Sequence, residues 1–400
     1  MGEDHGGSAI TAHARWRSLG AGLLLLTIAA GGLAAQGATP ADTATDKDRK
    51  FLITPFAAPG YTPEMGGLLT VGALMSFRTK PIFKAAPHEL IQRSTITLNG
   101  SYSTTGAITA NVKLVSFWSG DNLRINADFV YKDMPDNYWG VGIEAGKAPE
   151  GDSTTAYLRN YVSFVPKVLW RLSPAILVGP ILDVNSTVAS DVSPGMAAEL
   201  YYDLYGPSNQ NAGVGAVFQF DTRDVGVNAW KGVYLNAQAI LYGKFLGGVN
   251  AYQAYDVDYR QYKAMGRPGR TLAWTARVRW TDGSVPWAEL SQLNDLRGYR
   301  QGRYRDLAMV YGTVEYRYQF SAASRPNNLS RHGVVAWVAA GSVAPTLREV
   351  SEWLPNWGIG YRLEVQPRMS VRVDLGFGKE YSASGSEFVP SVYFNFTEAF

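Results

Sequence analysis

Alternation of apolar and polar residues with a period of two, over segments of about ten residues or longer, recurs from Phe51 to the end of the chain. No other feature restricts its fold as strongly. In Leu307–Phe320, LAMVYGTVEYRYQF, one face of an extended strand carries Val310, Val314, Tyr316, Tyr318 and Phe320, and the other Thr313, Glu315, Arg317 and Gln319. Ser370–Glu380 repeats the scheme, with Val371, Val373, Leu375 and Phe377 against Arg372, Asp374, two glycines and Glu380. Leu272–Thr281 sets Leu272, Trp274, Ala276, Val278 and Trp280 against Arg277 and Arg279. Asn122–Lys132 sets Ile125, Ala127, Phe129 and Tyr131 against Asn126, Asp128 and Lys132. Soluble sandwiches alternate too, but their strands are nearer about five or six residues. Longer alternating strands fit a transmembrane barrel, whose apolar face meets lipid and whose polar face meets the lumen. Such a sheet closes on itself, because hydrocarbon cannot satisfy an open edge.

The pattern predicts an all-β chain, a transmembrane antiparallel β-barrel of about sixteen strands. Their spans are 51–58, 66–79, 92–104, 106–118, 122–134, 154–171, 174–188, 212–222, 231–246, 249–264, 270–281, 306–320, 332–342, 356–366, 370–381 and 387–397. An even count puts both ends on the periplasmic side. RLSP, GRPG and QPRM then fall there as short turns, and 135–153, 189–211, 282–305 and 343–355 become outer loops. The connections 80–91 and 321–331 are long for periplasmic turns. The first strand, LITPFAAP, has the weakest pattern, since Pro55 and Pro59 have no N–H for a ladder.

Ahead of this region, Arg15 and Arg17 precede an apolar run from Leu19 to Ala30, followed by the small residues GGLAAQGA. This reads as an export signal over 1–35, with cleavage near Ala34 to Ala38. Residues 36–50 read as a disordered periplasmic linker, and 51–400 as the outer-membrane barrel of a Gram-negative cell. With 23 Tyr and 11 Trp the chain is rich in residues that have one apolar and one polar end. It has no cysteine, which removes disulfides, cysteine metal sites and cysteine nucleophiles. Beyond Phe51 the only histidines are His88 and His332, neither in a hydrolase, zinc or phosphate-loop motif. Neither an enzyme nor a cofactor or metal site is expected.

The stretch LRGYRQGRYRD, Leu296–Asp306, packs four arginines into a chain of net charge +3 and 18% charged residues. Such modest charge elsewhere argues against nucleic-acid binding. The stretch ends the longest-looking outer loop. Arg297-Gly298-Tyr299 resembles the motif of the BamA/TamA superfamily, the bacterial surface antigen family, in its sixth outer loop. FDTRDVGVNAWKG, Phe220–Gly232, is similar to that family's strand-end turn, with Asp221, Arg223 and Asp224 before Gly232. The C-terminal VYFNFTEAF places Val392, Phe394, Phe396 and Phe400 on one face, and resembles the signal by which assembly machinery recognises its clients. Glu398 departs from the aromatic usual at its position.

The resemblance implies that the sixth loop folds back into the lumen. A plugging loop must replace water with protein contacts, and arginine offers a rigid fork of donors for wall carboxylates. Glu315, Glu364 and Asp374 are the inward acids available to Arg297. The family's partner acid lies in a Phe-x-Asp-x-Gly pattern, but here WVAAG puts Ala339 in its place, which turns the expectation to Glu315 or Asp374. For Arg300, Arg303 and Arg305 the expectation is generic lumen or loop charge, facing lipopolysaccharide phosphates. No soluble POTRA-type domain fits between the export signal and Phe51. The resemblance thus implies a bare barrel that aids insertion, assembly or translocation of protein or lipid. A passive pore or adhesive barrel is the alternative. Expected partners are outer-membrane lipid and lipopolysaccharide, the assembly machinery, and a periplasmic or secreted protein.

Overall fold

The computed structural model describes residues 51–62, 65–79, 93–148, 153–320, 331–366, 368–382, 385–396 and 398–400. The export signal, the linker, His88 and the connections 80–91 and 321–330 lie outside them.

Sixteen strands form one antiparallel sheet in chain order, the wall of a β-barrel. They are β1 (Phe51–Thr62), β2 (Gly66–Phe77), β3 (Ser94–Ser103), β4 (Ile108–Trp118), β5 (Leu123–Asn137), β6 (Ala156–Arg171), β7 (Ile176–Ser190) and β8 (Ser208–Asp221). Next come β9 (Gly232–Tyr242), β10 (Tyr252–Ala264) and β11 (Arg270–Gly283). Two short strands, β12 (Ser291–Gln292) and β13 (Arg305–Asp306), pair with each other rather than with the wall. β14 (Ala308–Gln319), β15 (His332–Ala344), β16 (Leu354–Gln366), β17 (Met369–Ser382) and β18 (Gly385–Phe396) complete it. Each predicted strand is present. β1 runs further than its prolines implied: Pro55 pairs with Ala73 and Pro59 with Leu69. A residue that cannot donate is tolerated at the end of a ladder, and β1 and β18 are the two ends of this order.

Alternation sets the facing. On β14, Val314 and Tyr316 are exposed outward while Thr313, Glu315 and Arg317 are buried inward. Cross-strand aromatic pairs reinforce the register on the outer face, with Tyr255 stacked on Trp280 at 4.9 Å and Trp357 on Phe377 at 4.2 Å. Such pairs contribute roughly 0.2–1 kcal/mol each.

The lumen is not uniformly polar. Val217, Ile240, Tyr311, Val343 and Leu354 are buried there because the 284–304 segment folds inward and covers them. Its Val285 and Leu290 pack against Leu177, Ile181, Tyr242 and Tyr252. Leu293, Leu296 and Tyr299 pack against Met309, Tyr311 and Leu354. Trp287 meets Tyr138 and Tyr157 edge-on at 5.4 and 5.7 Å, and its indole donates to Gly206 O at 3.0 Å. A segment that displaces water from the bore needs apolar wall to lie on, and period two alone does not mark where that wall is.

Candidate functional site

The inward segment is a hairpin closed by β12 and β13, and its tip is Arg297-Gly298-Tyr299. Gly298 has φ of +96°, a left-handed conformation that lets the tip reverse. The tip touches β17 backbone to backbone. A Cβ on Gly298 would sit 2.6 Å from Gly378 N, and one on Gly378 would sit 2.0 Å from Gly298 O. Gly376 and Gly378 thus leave the inward face of β17 bare where the tip arrives. The Tyr393 hydroxyl on β18 accepts from Gly298 N at 2.7 Å and donates to Tyr299 O at 3.2 Å. Tyr299 in turn donates to Pro355 O at 2.7 Å.

Arg297 reaches two carboxylates, both 0% exposed. Its Nη1 donates to Asp374 Oδ2 at 3.0 Å, and its Nη2 lies 3.4 Å from Glu315 Oε2. Its guanidinium lies 3.6 Å over the Trp337 ring, whose indole is held by Asn356 Oδ1 at 3.2 Å. Arg362 shares the same acids, at 2.5 Å from Asp374 Oδ1 and 3.6 Å from Glu315 Oε1, and pairs with Glu398 at 2.7 Å. Arg317 approaches Glu315 at 3.6 Å and Arg372 approaches Asp374 at 3.7 Å. Two buried carboxylates thus stand among four guanidinium groups, which approach them from several sides as charged donors. Trp337 opens the WVAAG stretch. The aromatic face lies under the Arg297 cation, and the acid comes from the neighbouring wall rather than from position 339.

Glu364 is not part of this network: its carboxylate accepts from Gln319 Nε2 at 2.8 Å. Arg303 and Arg305 are loop charges, buried among the loops rather than set against the outer surface. Arg303 donates to Gly146 O at 2.7 Å, and Arg305 donates to Gly302 O and stacks 4.7 Å over Tyr138. Further up the same segment, Glu289 shares a region with Asp183 and Arg279. Burial, then the Asp183 charge, pushes its carboxyl up to about 7.

The Asp221 turn lies at the opposite rim. Asp221 accepts from Arg124 on β5 at 2.7 Å and from Arg223 at 2.9 Å. Arg223 lies 4.0 Å over the Tyr234 ring. Gly232 has φ of +112°, and a Cβ there would fall 2.3 Å from Thr222 O. Asp224 accepts from Trp230 N at 3.0 Å and from Arg368 at 2.7 Å. Arg368, in the turn between β16 and β17, also donates to Asn228 O at 2.7 Å and lies 3.2 Å over Trp230. The turn 222–231 is thereby held under the bore.

Phe394 and Phe396 pair through their backbones with Val373 and Val371 on β17; their side chains lie outside the described residues. Phe400 does not share the outward face that alternation assigned to it. It packs with Ala229, Tyr262 and Ala273, with Arg317 4.8 Å from its ring. Glu398, paired with the buried Arg362, draws the last residues into the lumen.

Sequence reasoning missed Trp337, Arg362, Tyr393 and Arg368. Arg362 was legible as an inward charge on β16, whereas Tyr393 and Trp337 read as ordinary wall aromatics. Among the described residues, no group of His, Cys, Asp and Glu could hold a metal ion.

Two solved structures share this architecture. BamA from Haemophilus ducreyi lacking POTRA domains 1-3 aligns with a TM-score of 0.54 at 15% identity, over 87% of this chain and 70% of that one. CdiB from Acinetobacter baumannii aligns with a TM-score of 0.51 at 12% identity, over 87% of this chain and 60% of that one. A search of curated protein sequences finds no match. The Omp85 superfamily domain matches residues 94–391, from β3 into β18 and across the latched loop, and the chain belongs to the Omp85 superfamily.

Proposed function

We propose that this outer-membrane barrel aids the insertion or translocation of a protein client, with the 284–304 hairpin as its resting plug. It works by shape and electrostatics and catalyses no reaction. The observation that carries this reading is the Arg297 contact with Asp374 and Glu315 at 3.0 and 3.4 Å, a buried tether between an outer loop and the wall strands β14 and β17. A simple pore has no use for so costly an arrangement, since unpaired buried charges would be strongly destabilising. In this reading the chain is itself a client of the assembly machinery. Its substrate is a periplasmic or secreted protein, and its surroundings are lipid and lipopolysaccharide. The client passes at the seam between β1 and β18, where Pro55 and Pro59 lack donors.

Depletion in the host, followed by quantitative proteomics of the outer membrane and the medium, tests it. Loss of particular barrels or secreted proteins is expected. An unchanged proteome with altered small-solute permeability would instead favour the passive pore. One observation favours that second reading: Lys113 and Asp128 on β4 and β5 pair at 3.8 Å while 66% and 42% exposed, so this part of the wall is wet.

A further inference from the structure

On the outward face of β7 to β11 the wall is hollow. Ala216, Ala237 and Ala239 form a floor, and Phe218, Tyr255 and Trp280 rise around it, bounding an open, apolar hollow of about 620 Å³. The registers make this one patch rather than scattered gaps. Ala216 pairs with Ala239 and Phe218 with Ala237, Ala239 pairs with Tyr255, and Tyr255 pairs with Trp280. Elsewhere the same face projects bulky residues such as Phe164, Val338 and Ile359. The latched loop does not use this hollow, which lies on the other side of the wall.

We propose that the hollow is a binding groove for one acyl chain of a phospholipid from the periplasmic leaflet. The occupant is set by what surrounds the groove. It is continuous with the belt that faces hydrocarbon, so a chain of the bilayer is its neighbour. Below it, at the rim of short turns, Lys263 is exposed on the same outward row of β10 as Tyr255. Gly232 pairs with Tyr262, so the next positions on the two strands are Lys231 and Lys263, both exposed and side by side. Six residues separate Lys231 from Ala237, about 20 Å along a strand. At a tilt of about 45° that is roughly 14 Å of depth, half of the hydrocarbon core. A lipid whose phosphate meets the two lysines therefore lays its tail end in the groove. At the opposite end the exposed Lys244 is offset by the exposed Asp282, which is bonded to Gln253 at 2.9 Å, whereas the two lysines below stand together.

The test uses the full chain reconstituted in nanodiscs with phosphatidylethanolamine bearing a diazirine near the tail end, and a parallel sample with a lipid A photoprobe. Phospholipid cross-links are expected to concentrate on β8 to β11. The double variant Ala237→Leu, Ala239→Leu, which fills the floor from the lipid side, should cut them at least ten-fold. Lys231→Gln with Lys263→Gln should weaken them several-fold, and gel mobility before and after heating shows that each variant is folded. Cross-links spread evenly round the belt, or unchanged in the filled variant, would overturn the proposal. So would preferential labelling by lipid A, or labelling of this wall that is lost when two copies share a nanodisc, which would assign the hollow to a second copy.

Discussion

At the scale of single residues, Arg297 joins three kinds of contact: two carboxylates, an aromatic face and the glycine that follows it. Its loss leaves Glu315 and Asp374 with less countercharge in a dry site. Arg297→Ala is expected to cost about 3–5 kcal/mol, read from denaturant unfolding of the barrel in micelles. Arg297→Lys should recover little of this, because an ammonium cannot make the planar fork over Trp337; equal stability of the Lys variant and the native chain would refute that geometry. Gly378→Ala attacks the same contact through sterics alone, with its new carbon meeting the Gly298 carbonyl. It should expose the loop to external protease while leaving the wall assembled.

At the scale of elements, the inward hairpin carries its own pH dependence. The Glu289 carboxyl, ordinarily near 4.5, is pushed up to about 7 where it sits. The seated loop therefore binds more protons than the released one, and its grip weakens as pH rises. The grip is complete below the ordinary value and is lost progressively as pH passes through about 7. The temperature at which the barrel loses its fast gel mobility should be lower at about pH 8 than at about pH 5. Glu289→Gln should flatten that difference. At the other rim, Arg368→Ala should free the turn 222–231, detected as faster amide exchange at Val225 to Trp230 with the wall strands unchanged.

For the molecule as a whole, the two readings of function separate by conductance. A barrel plugged by the hairpin should pass little current in planar bilayers, and Arg297→Ala should raise it. The native sequence has no cysteine, so a disulfide engineered between 51–58 and 387–397 gives a clean test of the seam. If tethering leaves the cell unaffected while deletion does not, passage at the seam is wrong. The wall was legible because hydrocarbon enforces strict alternation: Val314 and Tyr316 could only face out, and Glu315 and Arg317 only in. That pattern says which side a residue faces, but neither its height nor what opposes it. Tyr393 and Trp337 therefore could not be recognised as anchors of the loop. Burial of Arg303 and Arg305 depends on loops meeting over the bore, and Phe400 turns inward because of an ion pair made by its neighbour Glu398. None of these leaves a periodic trace.

Arg297 and Arg362 fasten β14, β16 and β17 to one another through the shared acids, and Tyr393 adds β18. The two banks of the seam are therefore unequally stiff. The C-terminal bank is clamped from within the bore, while the N-terminal bank begins with a strand short of two donors. If the cylinder is prised apart, it should yield on the β1 side, leaving β17 and β18 as the fixed jamb against which anything entering the membrane would slide.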